Sequence, residues 1–223
     1  MTFYYYVILF KYISLNRERF INHLIIIRNM KKIELVYREI LYQSIENKTR
    51  VLTQAEIARK LSLSLSTINK AIHNISNIGA VEINPRNFKV IDIKKILYYW
   101  ASIRHLQKDI IYQTRVEMPV AEIEKQMPDD IVFSAYTAYK FLFKDVPADY
   151  SEIYVYGDAE LRKRFPENKG TPNLFVLKKD SSIMSYGKTT TIANTFIDLW
   201  NLKEWYAKEF IKALEARLNG ILE

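Results

Sequence analysis

Residues 51–92 read VLTQAEIARKLSLSLSTINKAIHNISNIGAVEINPRNFKVID, and local signals in this run set one element after another. Thr53-Gln54-Ala55-Glu56 has the spacing of a capping box: the threonine hydroxyl takes the amide three residues on, and Glu56 reaches back to the amide of Thr53. A short helix follows with Ile57, Ala58 and Leu61 on one face. Ser62 and Leu63 make a turn, and Ser64 caps a second helix. Leu65, Ile68, Ala71, Ile72 and Ile75 recur there at helical spacing and are expected to be buried. Ser66, Thr67, Asn69, Lys70 and His73 are left outward, every one a hydrogen-bonding or cationic residue. Gly79 stands where a helix ends on a left-handed residue. Ala80–Ile83 and Asn87–Ile91, separated by the turn residues Asn84-Pro85-Arg86, predict a hairpin. Helix, tight turn, helix and hairpin are the parts of a winged helix-turn-helix, whose second helix enters a major groove.

The charge agrees with that expectation. The chain of 223 residues carries a net +8, with 49% apolar and 26% charged residues, the composition of a globular protein of one or two domains. Residues 31–95 hold twelve Lys/Arg against six acids, whereas residues 96–223 hold seventeen against eighteen. The basic excess therefore sits with the helix-turn-helix, where phosphate neutralisation requires it. Without cysteine there is no disulfide framework, thiol nucleophile or cysteine zinc site, which fits a cytoplasmic protein.

Residues 1–29 form an extension in which the apolar run Thr2–Phe10 is broken by Lys11. That run is too short to span a bilayer, which takes about 20 residues, and lacks the flanks of a signal peptide. Met30-Lys31-Lys32 resembles a chain start, so the extension is either an addition to the native protein or an extra helix. Ile33–Ile45 predicts the first helix of the winged-helix domain, assigned to residues 30–92. From the cap at Asp92 a helix is expected to run to about Thr114, making residues 93–117 a long connecting helix. Residues 118–223 read as a mixed α/β effector domain, for an α+β chain overall. Short helices are expected over Ala121–Gln126, Ser134–Phe143 and Ala159–Phe165, with strands over Glu152–Tyr156 and Leu174–Leu177. One or two more strands are expected within Thr189–Leu199, then a helix over Leu202–Leu218.

Catalytic patterns are not found. Gly187-Lys188-Thr189 lacks the glycine that a phosphate loop needs where Ser182 stands, and reads as a turn. Asp158 and Lys178 fail the nuclease pattern, because Val176-Leu177 precedes the lysine. Asp145 and Asp149 are too far apart for a nucleotidyltransferase pair. Asp129-Asp130, adjacent in the chain, reads as a helix cap. His23, His73 and His105 are dispersed and suggest no metal site. Asp198, alone in an apolar run, is expected to cap the helix starting near Leu202. No catalytic residue, cofactor or metal is therefore expected, and the chain reads as a non-enzyme.

TQAEIARKL, SLSTINKAI and IGAVE, within residues 53–82, resemble archaeal and bacterial winged-helix transcription regulators. SAYTAY at Ser134–Tyr139 and TFIDLW at Thr195–Trp200, with a terminal helix, are similar to the effector domain of the AbiEi family of type IV antitoxins. That resemblance implies a repressor of its own operon whose second, non-catalytic domain opposes a cognate toxin. The expected partners are double-stranded DNA, such a toxin and a second copy of the chain, with no membrane. Ser64, Ser66, Thr67, Asn69, Lys70 and His73 are the expected DNA contacts of the second helix, with Arg86 and Lys89 on the wing. Asn69 suits a bidentate adenine contact and Lys70 guanine or phosphate. Two other classes stay open: an enzyme with an unrecognised C-terminal site, and a winged helix serving as a protein adaptor.

Overall fold

Capping side chains start the first helices where the local chemistry places them. The computed structural model describes residues 31–222, so the extension 1–29 lies outside the described residues. α1 spans Lys32–Ile45, and Glu34 reaches back 3.4 Å to the Lys31 amide. α2 spans Gln54–Leu61, with Thr53 and Glu56 bonded reciprocally at 3.2 and 3.3 Å. Ser62 closes it in the left-handed region, at φ 52°. α3 spans Leu65–Ser76, where Ser64 Oγ accepts from the Thr67 amide. Gly79, at φ 68°, turns the chain into β2 (Val81–Ile83). β3 (Phe88–Val90) pairs antiparallel with it, and the Asn84 amide donates 2.8 Å to the Asn87 carbonyl across the turn.

A third strand, β1 (Val51–Leu52), pairs with the other edge of β3 and makes the order β1-β3-β2. The inner face of this sheet, through Leu52, Val81, Phe88 and Val90, joins Ile57, Leu61, Ile68, Ala71, Ile72 and Ile75 in one core. Leu65 departs from expectation: it is 57% exposed. A helical Cβ leans toward the N-terminus, so the side chain of a helix's first residue lies over the capping turn rather than over the core.

α4 begins at the expected cap, Lys95 N–H donating 2.9 Å to Asp92, but it spans only Ile93–Ile103. The long connecting helix is therefore not present. Arg104 is extended (ψ 138°), a 3₁₀ turn covers Leu106–Asp109, and Ile110–Thr114 is strand β4. The apolar spacing there suited a helix, yet Ile110, Ile111, Tyr112 and Thr114 are strand-favouring residues, and β7 pairs with Ile110 and with Tyr112 to Thr114 across a register shift at Ile111.

The second sheet has the order β4-β7-β6-β5. β5 spans Val132–Ser134, β6 Ile153–Gly157 and β7 Leu174–Lys178; β6 and β7 are parallel and the other pairs antiparallel. α5 (Val120–Lys125) and a 3₁₀ turn at Ala159–Lys163 cover one face over Phe133, Ile153, Val155, Leu174 and Val176. The opposite face, through Val132, Tyr154, Tyr156 and Leu177, continues into the same core as the first sheet. α6 (Ala135–Phe143), α7 (Ile192–Trp200) and α8 (Ala207–Leu222) lie on that side. The fold is thus mixed α+β with two small sheets and a core shared from Leu35 to Leu218.

α7 replaces the strands expected within Thr189–Leu199, where only Thr189 makes a strand-like bridge, to Phe133. Thr191 caps this helix, and its residues from Ala193 to Leu199 are all buried. Thr189, Thr190, Thr191, Ile192, Thr195 and Ile197 are β-branched, which favours a strand locally, whereas the Thr191 cap and the packing set a helix. The last helix starts at Ala207 rather than Leu202. Asp129 and Asp130 precede strand β5 instead of capping a helix, and pair with Lys188 and Lys179. Among the described residues no helix is long and apolar enough to cross a membrane.

Candidate nucleic-acid interface and a buried polar junction

α3 carries its polar residues on the side away from the core. Ser66, Asn69, Lys70 and His73 are exposed, and Thr67 is half-buried. Ser64 Oγ accepts from the Thr67 amide at 3.3 Å and lies 2.9 Å from the Thr67 hydroxyl, so both hydroxyls serve the cap. That leaves Ser66, Asn69, Lys70 and His73 with no side-chain hydrogen bond or ion pair among the described residues. Arg86 is exposed at the hairpin tip and is likewise free among them. Lys89 differs. It sits mid-strand in β3, exposed, directly across from Glu82 on β2 and Val51 on β1. The facing carboxylate weakens its pull on a phosphate relative to Arg86. The structure therefore gathers four of the expected residues on one helix face and sets Arg86 and Lys89 on the hairpin.

α1 and α4 meet the second sheet and α7 through buried polar groups that sequence reasoning missed. Arg104, where α4 ends, donates to Asp109 and, at 3.4 Å, from Nε to Asp198; its Nη1 lies 3.6 Å from Glu34. Trp100 Nε1 donates 3.0 Å to Glu34, and Arg104 donates 3.1 Å to the Tyr156 hydroxyl. Asp198 accepts from Ser134 and Tyr156, both at 2.7 Å, and from Asn194 at 2.8 Å. Asp198 is thus not a helix cap; it lies within α7 with no solvent exposure. One guanidinium faces three carboxyl groups here. Burial pushes Glu34, Asp109 and Asp198 above the ordinary carboxyl range, and Arg104 opposes that shift in each. Arg104 and Tyr156 are 3% and 0% exposed, which leaves no open face for a substrate.

Two further links tie α1 to the second half. Arg38 donates from Nη1 and Nη2 to Asp180 at 2.8 and 2.6 Å, and from Nη2 to Ser182 at 2.8 Å. At the end of α1, Glu46 Oε1 accepts from the Ile192 amide at 2.7 Å, holding the first turn of α7. Among the described residues Glu46 Oε2 has no hydrogen-bond partner. Burial pushes its carboxyl up to about 7 from 4.5. A folded value above the unfolded one means that this group's contribution is fully present at low pH and lost as pH rises through about 7. Glu46→Gln keeps an acceptor for Ile192 without a charge. It should gain roughly 1–2 kcal/mol at pH 8 and almost nothing at pH 5, read by urea denaturation at both pH values. A variant less stable than wild type at pH 8 contradicts this reading.

Among the described residues no group of three or more His, Asp or Glu is placed to hold a metal ion. Comparison with known protein families, curated proteins and solved structures finds no match for this chain.

Proposed function

We propose that residues 32–92 act as a winged helix-turn-helix and that the chain is a sequence-specific regulator of transcription binding double-stranded DNA in the cytoplasm. The supporting observation is the α3 face: Ser66, Asn69, Lys70 and His73 are exposed together, without partners among the described residues, on a helix whose other side is fully buried. Its location in the basic part of the chain agrees with this reading. In this proposal the second sheet and its helices form a non-catalytic effector region. The resemblance to AbiEi antitoxins makes that region the part that opposes a toxin, with the chain repressing its own operon.

Two substitutions separate base reading from phosphate anchoring. Asn69→Ala removes an exposed amide and leaves charge and core unchanged. It should weaken a selected DNA site by about 1–3 kcal/mol while barely changing binding to scrambled DNA. Arg86→Ala should weaken both DNAs alike and make the salt slope shallower by about one unit. Affinities of both variants on both DNAs at several salt concentrations decide it. Equal losses on both DNAs for Asn69→Ala mean that α3 does not read bases. Exposed Val51, Ile83 and Ile91 around the first sheet favour a second reading, a protein adaptor. No loss in either variant selects it.

A further inference from the structure

α3 opens with an outward aliphatic residue, and its place in the helix gives that residue a chemical role. Leu65 is the first residue of α3 and is 57% exposed. Asn69 stands four positions on, so the two side chains share one helix face, about 6 Å apart at Cβ. Ser66, Asn69, Lys70 and His73 on that side are exposed polar residues. The hydroxyls of Ser64 and Thr67 are engaged in the cap, which makes Leu65 and Ser66 the first side chains of α3 free to meet a ligand. Scattered exposed leucines need no explanation, so exposure alone carries nothing. Position does. The N-terminal residues of a helix in the major groove approach base edges. A side chain without donors or acceptors finds one apolar group among those edges, the 5-methyl of thymine.

Resting on the DNA-binding reading above, we propose that Leu65 is a specificity-determining residue that packs on a thymine methyl, one or two base pairs from the adenine read by Asn69. The ligand is then B-form DNA containing thymine at that step. Uracil in its place lacks the group that Leu65 touches, and duplex RNA in addition presents a major groove that side chains cannot read. An exposed side chain at a helix start has little packing to lose, so Leu65→Ala keeps the fold intact for the test.

The full chain is first used to enrich binding duplexes from a random library. Enriched sites are then synthesised with deoxyuridine replacing single thymines, a change that removes one methyl and nothing else. One position is expected at which uracil weakens wild-type binding about fourfold, the equivalent of roughly 0.8 kcal/mol for one buried methylene. Leu65→Ala should bind the thymine and uracil forms alike while keeping wild-type preferences at the other positions. Wild-type indifference to uracil at every position, or a Leu65→Ala variant that keeps the full thymine preference, overturns the inference and leaves the regulator reading standing. Enrichment of no duplex overturns both.

Discussion

Arg104→Met should lower stability by about 3–5 kcal/mol at pH 8, because removing the one cation of a buried cluster leaves its anions uncompensated. Methionine fills part of the guanidinium stem's space, so the loss reports charge more than a cavity. The variant leaves Glu34, Asp109 and Asp198 facing one another without a counter-charge, all buried. Their carboxyls already lie above the ordinary range by burial, and each loses the guanidinium that held it down. Raised folded values mean that the variant binds protons more tightly than its unfolded chain, so its stability falls as pH rises through those values. The penalty should therefore be smaller at pH 5 than at pH 8. For a domain of this size the loss at pH 8 amounts to roughly 6–20 °C in Tm. Urea unfolding at the two pH values checks it; a loss below about 1 kcal/mol, or one independent of pH, contradicts the account of the junction.

Arg38→Met should cost a similar amount, about 3–5 kcal/mol near neutrality, through a different balance of charge. Here one guanidinium meets one carboxylate in a two-pronged contact, with Ser182 completing it and the guanidinium 5.0 Å from the Tyr186 ring. Burial acts to raise the Asp180 carboxyl, but its bonds and charge contact with Arg38 outweigh burial and hold it below the ordinary range. A depressed folded value contributes stability above the unfolded value and loses it as pH falls through the folded one. In the variant Asp180 keeps its burial without its partner. Its carboxyl then shifts upward, and the penalty shrinks as pH falls through the acid range and Asp180 takes a proton. The same measurement suffices. Arg38→Met should also loosen the segment from Asp180 to Tyr186, seen as faster amide exchange there. Unchanged exchange in that segment would show that the pair does not hold it.

Elements whose deciding chemistry is local were legible in the sequence. Thr53 with Glu56, Ser64, Asp92 and Gly79 each act on backbone within four residues, and each performs the expected role. The outward side of α3 was legible for the same reason, since one helix period fixes it. Leu65 failed that pattern because periodicity assumes a helical turn on either side, and the first residue has none before it. β1 is two residues long, too short to show an alternation. β4 and β5 depend on partners far along the chain, β7 and β6, and spacing within a segment carries no trace of them. α7 was disguised by its β-branched residues Ile192, Thr195 and Ile197. The junction is the least legible part: Arg38 meets Asp180 and Arg104 meets Asp198 across 142 and 94 positions. Asp198 did stand out as an acid in an apolar run, and that contrast was the one signal of a buried network. Its partners could come only from the fold.

The base-reading role proposed for α3 is tested by the affinity of the full chain for an enriched duplex and for the same composition scrambled, over a range of salt. Both affinities should fall linearly in log–log form, as counterion release requires. The enriched site should be held on the order of 10³-fold or more tighter at physiological salt. Equal affinity for the two duplexes, or no binding to either at low salt, contradicts it.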